Sequence, residues 1–137
     1  MIFHTLELIR IKDWLKNLLL LTPLIFSGNI LNFDVYQSLF ISFIFFSLTT
    51  SAIYIINDIN DIKSDRSHPF KLKTKPMARG DISINYAIGL LIFILTLLTL
   101  LYFIDSKIIF HILAYFILNL FYNYFVKGII ILDLLII

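Results

Sequence analysis

Asp58, Asp61 and Asp65 stand at i, i+3 and i+7 in the stretch Asn57-Asp58-Ile59-Asn60-Asp61-Ile62-Lys63-Ser64-Asp65. If one helix runs through this stretch, all three carboxylates share a face. Like charges that close repel, and a solvated turn has no need of them. A hard divalent cation supplies the reason, because Mg²⁺ takes oxygen ligands and keeps substrate phosphate in its shell. A basic half follows, with Lys71, Lys73, Lys75 and Arg79. Departure of a diphosphate develops negative charge on the leaving oxygens, and metal ions and fixed cations stabilise that charge. The plainer alternative is a solvated loop whose acids and bases neutralise each other, with its lysines anchored to anionic headgroups. Spacing alone leaves both open. An EF-hand is excluded because Ile62 sits where the fifth-position ligand belongs, and a Walker-type loop because Gly80 is the one glycine of the segment.

The elements around this segment are oily. Of 137 residues, 60% are hydrophobic and 15% charged, with mean hydropathy +0.94. That lies outside the range of soluble domains. Four apolar stretches approach the ~20 residues a helix needs to cross a hydrocarbon core: Leu15–Leu31, Ser38–Ile56, Tyr86–Ile104 and Ile108–Val126. A fifth begins at Ile129 and is cut off at Ile137. The first is interrupted by Pro23 and Gly28-Asn29, so a kinked or tilted span is expected. The fold class expected is therefore all-α, a polytopic transmembrane bundle of four spans plus a truncated fifth, one domain over 1–137.

Charge placement orients the spans. Counted from the N-terminus through the four connections, Lys and Arg run three, none, six, one, one. By the positive-inside rule the N-terminus and the 57–82 loop face the cytoplasm of a bacterial-type plasma membrane. The early charges Glu7, Arg10, Lys12, Asp13 and Lys16 argue against a cleavable signal peptide. The net charge of +2 is too small to argue for nucleic acid. Cysteine is absent, so a metal must take oxygen ligands or His4, His68 and His111, of which His4 and His111 have no ligand-spaced partner. The 14 Phe and seven Tyr fit lipid-facing bulk and interfacial belts better than a cofactor stack.

The Asn-Asp-x-x-Asp-x-x-x-Asp pattern resembles the first aspartate-rich motif of the UbiA superfamily of membrane prenyltransferases, and its place at the end of the second span agrees. Two stretches resemble one branch, the decaprenyl-phosphate phosphoribosyltransferases. Asp13-Trp14-Leu15-Lys16-Asn17 is similar to that branch's Gln-Trp-x-Lys-Asn, and Asp65-Arg66-Ser67-His68-Pro69-Phe70-Lys71 to its Asp-Arg-x-His-Pro-x-Lys. The resemblance implies a cytoplasm-facing cavity in which Asp58, Asp61 and Asp65 hold Mg²⁺ against the diphosphate of a donor. Asn57, Lys16, Asn17, Arg66, Lys71, Lys73, Lys75 and Tyr122 are the implied substrate-binding residues. In the phosphoribosyl branch the donor is phosphoribosyl pyrophosphate and the acceptor a polyprenyl phosphate in the lipid. In the aromatic-prenylating branches a polyprenyl diphosphate is itself the donor.

The sequence departs from this pattern where Lys75-Pro76 replaces the usual Arg-Pro, one residue further from Asp65 than expected. Lysine keeps the charge but loses the two-pronged fork for phosphate. Members of the superfamily have about eight or nine helices, so the chain is expected to be the N-terminal half of a bundle and inactive without the rest. Tyr122, Lys127 and Asp133 look like the start of the second polar stretch. An acid at Asp133, inside an apolar run, is a functional-site candidate, and Lys127 is either catalytic or an interfacial anchor. The rival of another class is a non-catalytic membrane fragment of an interrupted gene.

Overall fold

The computed structural model describes residues 1–26, 33–103, 106–122 and 124, and every regular element among them is a helix. In chain order these are α1 (Ile2–Leu8), a 3₁₀ helix (Ile11–Leu21), α2 (Thr22–Phe26), α3 (Phe33–Asn60), α4 (Ile62–Ser67), α5 (Pro69–Thr74), α6 (Pro76–Arg79), α7 (Ile84–Tyr102) and α8 (Ser106–Phe121).

α3 is the axis on which the rest is built. Its 28 residues extend about 42 Å, longer than a ~30 Å hydrocarbon core is thick. α1, the 3₁₀ helix, α4, α7 and α8 all contact it. Leu8, Ala52, Ile55, Ile62, Met77, Ile82, Ala87 and Ile94 form the core between α1, α3, α7 and the short helices.

The 3₁₀ helix fits α3 by a match of rises. Trp14 and Asn17, three apart, share one face of a 3₁₀ helix about 6 Å apart; Ser51 and Ser47, four apart on an α-helix, are separated by the same ~6 Å. Trp14 Nε1 donates to Ser51 Oγ (3.1 Å) and Asn17 Nδ2 to Ser47 Oγ (2.9 Å), so the two helices run antiparallel. The Ser51 hydroxyl also lies 2.7 Å from the Ile9 carbonyl, tying down the turn before the 3₁₀ helix.

Several expectations about spans are corrected. Leu15–Leu31 is not one kinked α-helix where it is described: it is 3₁₀ to Leu21 and α-helical over Thr22–Phe26, and residues 27–32 lie outside the described residues. The second span is longer than expected, because Val35–Asn60 continues through Asn57 and Asp58. It is the one helix among the described residues long and apolar enough to cross a membrane; Ile84–Leu100 of α7 is apolar but shorter. α8 covers most of the fourth stretch, whose last residues, like the fifth stretch, fall outside the description.

Candidate functional site

Two prolines shape the segment after α3. Proline disfavours helical conformation in the residue before it and suits the first turn of a new helix. His68 (φ −98, ψ 114) and Lys75 (φ −107, ψ 120) are accordingly extended, and Pro69 and Pro76 open α5 and α6. α6 ends at Gly80, whose φ of 89 suits glycine. Gly80 N–H bonds to Met77 O (3.3 Å) and Asp81 N–H to Pro76 O (3.0 Å), the Schellman pattern.

The extended Lys75 reaches back to the end of α3. Its Nζ lies 2.7 Å from Asp58 Oδ1 and 2.6 Å from Asp65 Oδ2, while Lys71 Nζ lies 2.8 Å from Asp65 Oδ1. Asp58 is 3% exposed and Asp65 1%, so both carboxylates are inside the protein. Burial works against the charge on Asp65, and the Lys71 and Lys75 ammoniums outweigh it, holding its pKa below the usual carboxylate value. Burial likewise opposes the charge on Lys75, and its contacts with Asp58 and Asp65 hold its pKa above the usual lysine value. Asp58 Oδ1 and Asp65 Oδ1 are each close to an ammonium but receive no hydrogen bond of good geometry.

The third aspartate does not complete a trio. α3 stops at Asn60, Asp61 turns the chain (φ −88, ψ 0) and α4 restarts at Ile62. Asp61 is half-buried, and among the described residues no three His, Cys, Asp or Glu side chains gather as metal ligands. Two buried carboxylates converging on one cation still suit Mg²⁺, which is commonly held by one or two protein carboxylates and completed by water and phosphate. The two oxygens without a directional hydrogen bond are the ones such an ion would take.

The remaining candidates divide among three spaces. Asp58, Lys71 and Lys75 line a cleft of ≈ 640 Å³ with Phe3, Leu6, Arg10, Ile11 and Phe70 on its walls. Asn57 and Tyr122 meet across a cavity of ≈ 390 Å³ between α3 and α8, with Tyr54, Tyr115 and Asn119. Lys16 and Asn17 border a smaller pocket of ≈ 100 Å³; Lys16 is exposed and paired with Asp13 at 2.6 Å, and Asn17 is engaged with Ser47. Arg66 and Lys73 are exposed and border none of these three spaces. Lys127 and Asp133 lie outside the described residues.

Arg79, which the sequence groups with the diphosphate-facing cations, is a brace instead. It donates NH2 to Glu7 Oε2 (2.6 Å), NH1 to Glu7 Oε1 (3.2 Å) and to Lys73 O (2.7 Å), and Nε to Asp81. The guanidinium holds Glu7 below the usual carboxylate range. His4 lies 3.6 Å from Glu7 and 3.5 Å from Asp81, a grouping that sequence spacing does not reveal. Arg10 was also missed: its guanidinium sits 4.0 Å above the Tyr54 ring and 3.6 Å from Asp58.

The described structure is thus a helical protein with one long apolar helix, followed by a polar segment in which two buried aspartates face lysines. The UbiA prenyltransferase family model matches residues 19–137, and the chain belongs to that family. It is 40% identical over 76 residues to decaprenyl-phosphate phosphoribosyltransferase of Mycobacterium tuberculosis (strain H37Rv), covering 53% of this chain and 25% of that protein. The enzyme of that name from Corynebacterium glutamicum is 33% identical over 94 residues, 67% of this chain and 28% of the relative. The uncharacterized protein y4nM of Sinorhizobium fredii is 33% identical over 131 residues, 94% of this chain and 25% of the relative. The chain thus spans about a quarter of the length of the relatives it matches. No solved structure gives a significant match.

Proposed function

We propose that the chain supplies the diphosphate-binding part of an integral membrane transferase that moves phosphoribose from phosphoribosyl pyrophosphate to a polyprenyl phosphate. The observation that carries this reading is the convergence of buried Asp58 and Asp65 on one cationic position at the end of an apolar helix. The names of the mycobacterial and corynebacterial relatives support the choice of donor and acceptor.

In this reading Asp58 and Asp65, with Asp61 nearby in the chain, would hold Mg²⁺. A divalent cation held there would supply neutralisation of the charge developing on the departing diphosphate. The bond from the ribose anomeric carbon to the diphosphate oxygen breaks, and its electron pair leaves with the diphosphate. A lipid phosphate oxygen forms the new bond to that carbon. Lys71 and Lys75 stabilise the oxygens that gain charge. Asn57 and Tyr122 line the space for the donor's organic half, and Lys127 and Asp133 belong to the second polar stretch. The N-terminus and the 57–82 loop face the cytoplasm of a bacterial plasma membrane, and the rest of the bundle completes the cavity.

A second reading is prenyl transfer from a polyprenyl diphosphate to an aromatic carbon. The apolar wall of the ≈ 640 Å³ cleft, with Phe3, Leu6, Ile11 and Phe70 beside Lys71 and Lys75, favours it. The two are separated in membranes carrying the chain together with the C-terminal half of a related full-length enzyme. Label from phosphoribosyl pyrophosphate should enter an endogenous lipid in a Mg²⁺-dependent way. Label entering only from a prenyl diphosphate selects the second reading, and label from neither rejects both.

A further inference from the structure

Three of the cations that sequence patterning points to are already engaged by protein groups. Lys75 bridges Asp58 and Asp65, Lys71 pairs with Asp65, and the Arg79 fork is taken up by Glu7, Asp81 and the Lys73 carbonyl. An incoming anion must break an ion pair to use any of these three, and the exposed Arg66 and Lys73 border none of the three spaces. Arg10 differs. Its ionic contact with Asp58 is loose at 3.6 Å, and among the described residues none of its guanidinium N–H groups makes a hydrogen bond. A guanidinium carries five such donors in a rigid fork suited to phosphate.

The backbone is also unusual here. Arg10 has φ 53 and ψ 46, the one non-glycine residue of positive φ among the described residues. A side chain with a Cβ adopts that region at a cost, and such strain persists where the surroundings fix it, often at functional positions. Here the turn between α1 and the 3₁₀ helix is pinned by Ser51 to the Ile9 carbonyl, and the guanidinium is stacked on Tyr54. The result holds the Arg10 side chain, 31% exposed, on the border of both the ≈ 640 Å³ cleft and the ≈ 100 Å³ pocket.

We infer that Arg10 is a phosphate-binding residue of this site, held in its left-handed conformation so that its free fork meets an oxyanion entering the cleft beside Asp58. The inference rests on the diphosphate reading above, and the phosphate oxygens can come from the donor or from the lipid acceptor.

The test uses the chain in lipid nanodiscs, titrated at fixed Mg²⁺ with inorganic pyrophosphate and separately with farnesyl phosphate. Arg10→Gly accepts the left-handed backbone without penalty and removes the guanidinium. Its affinity for at least one anion should fall roughly tenfold or more, the scale of lost charge-assisted hydrogen bonds, without a matching fall in melting temperature. Arg10→Lys keeps the charge without the fork and should fall between the two. A loss for pyrophosphate alone places Arg10 at the donor, a loss for farnesyl phosphate alone at the acceptor, and a loss for both at their junction; each supports the inference. If the parent binds pyrophosphate and Arg10→Gly binds both anions as the parent does, the inference is overturned and the diphosphate reading stands. If the parent binds neither anion, both fall.

Discussion

Lys75 sets the character of the site because it places one ammonium between two carboxylates that are themselves almost wholly buried. Removing one partner of such a cluster leaves uncompensated charge inside the protein, at a cost of about 3 kcal/mol. Lys75→Met should therefore lower the melting temperature in EDTA, and Mg²⁺ should recover more of the loss in the variant than it adds to the parent. A Mg²⁺ effect of equal size in both would show that the ion does not use the position. Acid gives an independent test through Asp65. Its folded pKa lies below the unfolded value, so the associated stability is complete above about pH 4 and is lost as pH falls through the folded value. Melting temperature should drop on acidification below about pH 4, and less steeply in Asp65→Asn; parallel acid limbs would contradict the assignment. The seven-residue spacing suggested a grouping of Asp58 with Asp65, but the helix it assumed breaks at Asp61 and the two carboxylates meet through Lys75 instead. Arg10 was not legible, because its placement depends on a left-handed turn that no residue type at positions 9–11 announces.

The short elements carry the information that puts these side chains in place. That Lys75 leaves the helix is written in Lys75-Pro76, and a fresh helix start at Pro69 in His68-Pro69. The break at Asp61 has no such marker, since neither glycine nor proline stands near it, and the expectation of one continuous acidic face failed there. The 3₁₀ form of Ile11–Leu21 was equally hidden, because a run of leucines reads alike at periods of 3.0 and 3.6. Trp14 and Asn17 reveal it only through their partners on α3. Asn17→Ala should leave Ser47 without its donor and cost about 1 kcal/mol of thermal stability, with little change in pyrophosphate affinity. A large affinity loss at unchanged stability would instead show that Asn17 contacts substrate, as the sequence resemblance implies. Gly80 closes α6 with φ 89, and a Cβ added there would meet nothing within 4 Å. Gly80→Ala should thus cost only the conformational term, about 1–2 kcal/mol, and Gly80→Asn less. An unchanged melting temperature in Gly80→Ala would show that this cap does not hold the Arg79 brace.

At the scale of the whole molecule, composition marks a membrane protein and the family match agrees. The arrangement of spans is less complete, with α3 alone meeting the length and hydropathy of a crossing among the described residues. Cysteines placed at Asn32 and at Ser67 should label from opposite faces, Ser67 from the cytoplasm, because the first connection has no basic residue and the second has six. Labelling of both from one side would remove the topology on which a cytoplasmic donor site depends. The joining of that topology to the buried acidic pair is tested most directly by donor binding. Phosphoribosyl pyrophosphate should be titrated into the reconstituted parent, Asp58→Asn and Asp65→Asn, each with Mg²⁺ and with EDTA. The expected result is binding by the parent that requires Mg²⁺ and falls roughly tenfold or more in each variant, the scale of lost contacts to a charged group. Binding by the parent that is indifferent to Mg²⁺, or variants that bind as the parent does, would contradict a metal–diphosphate role for Asp58 and Asp65.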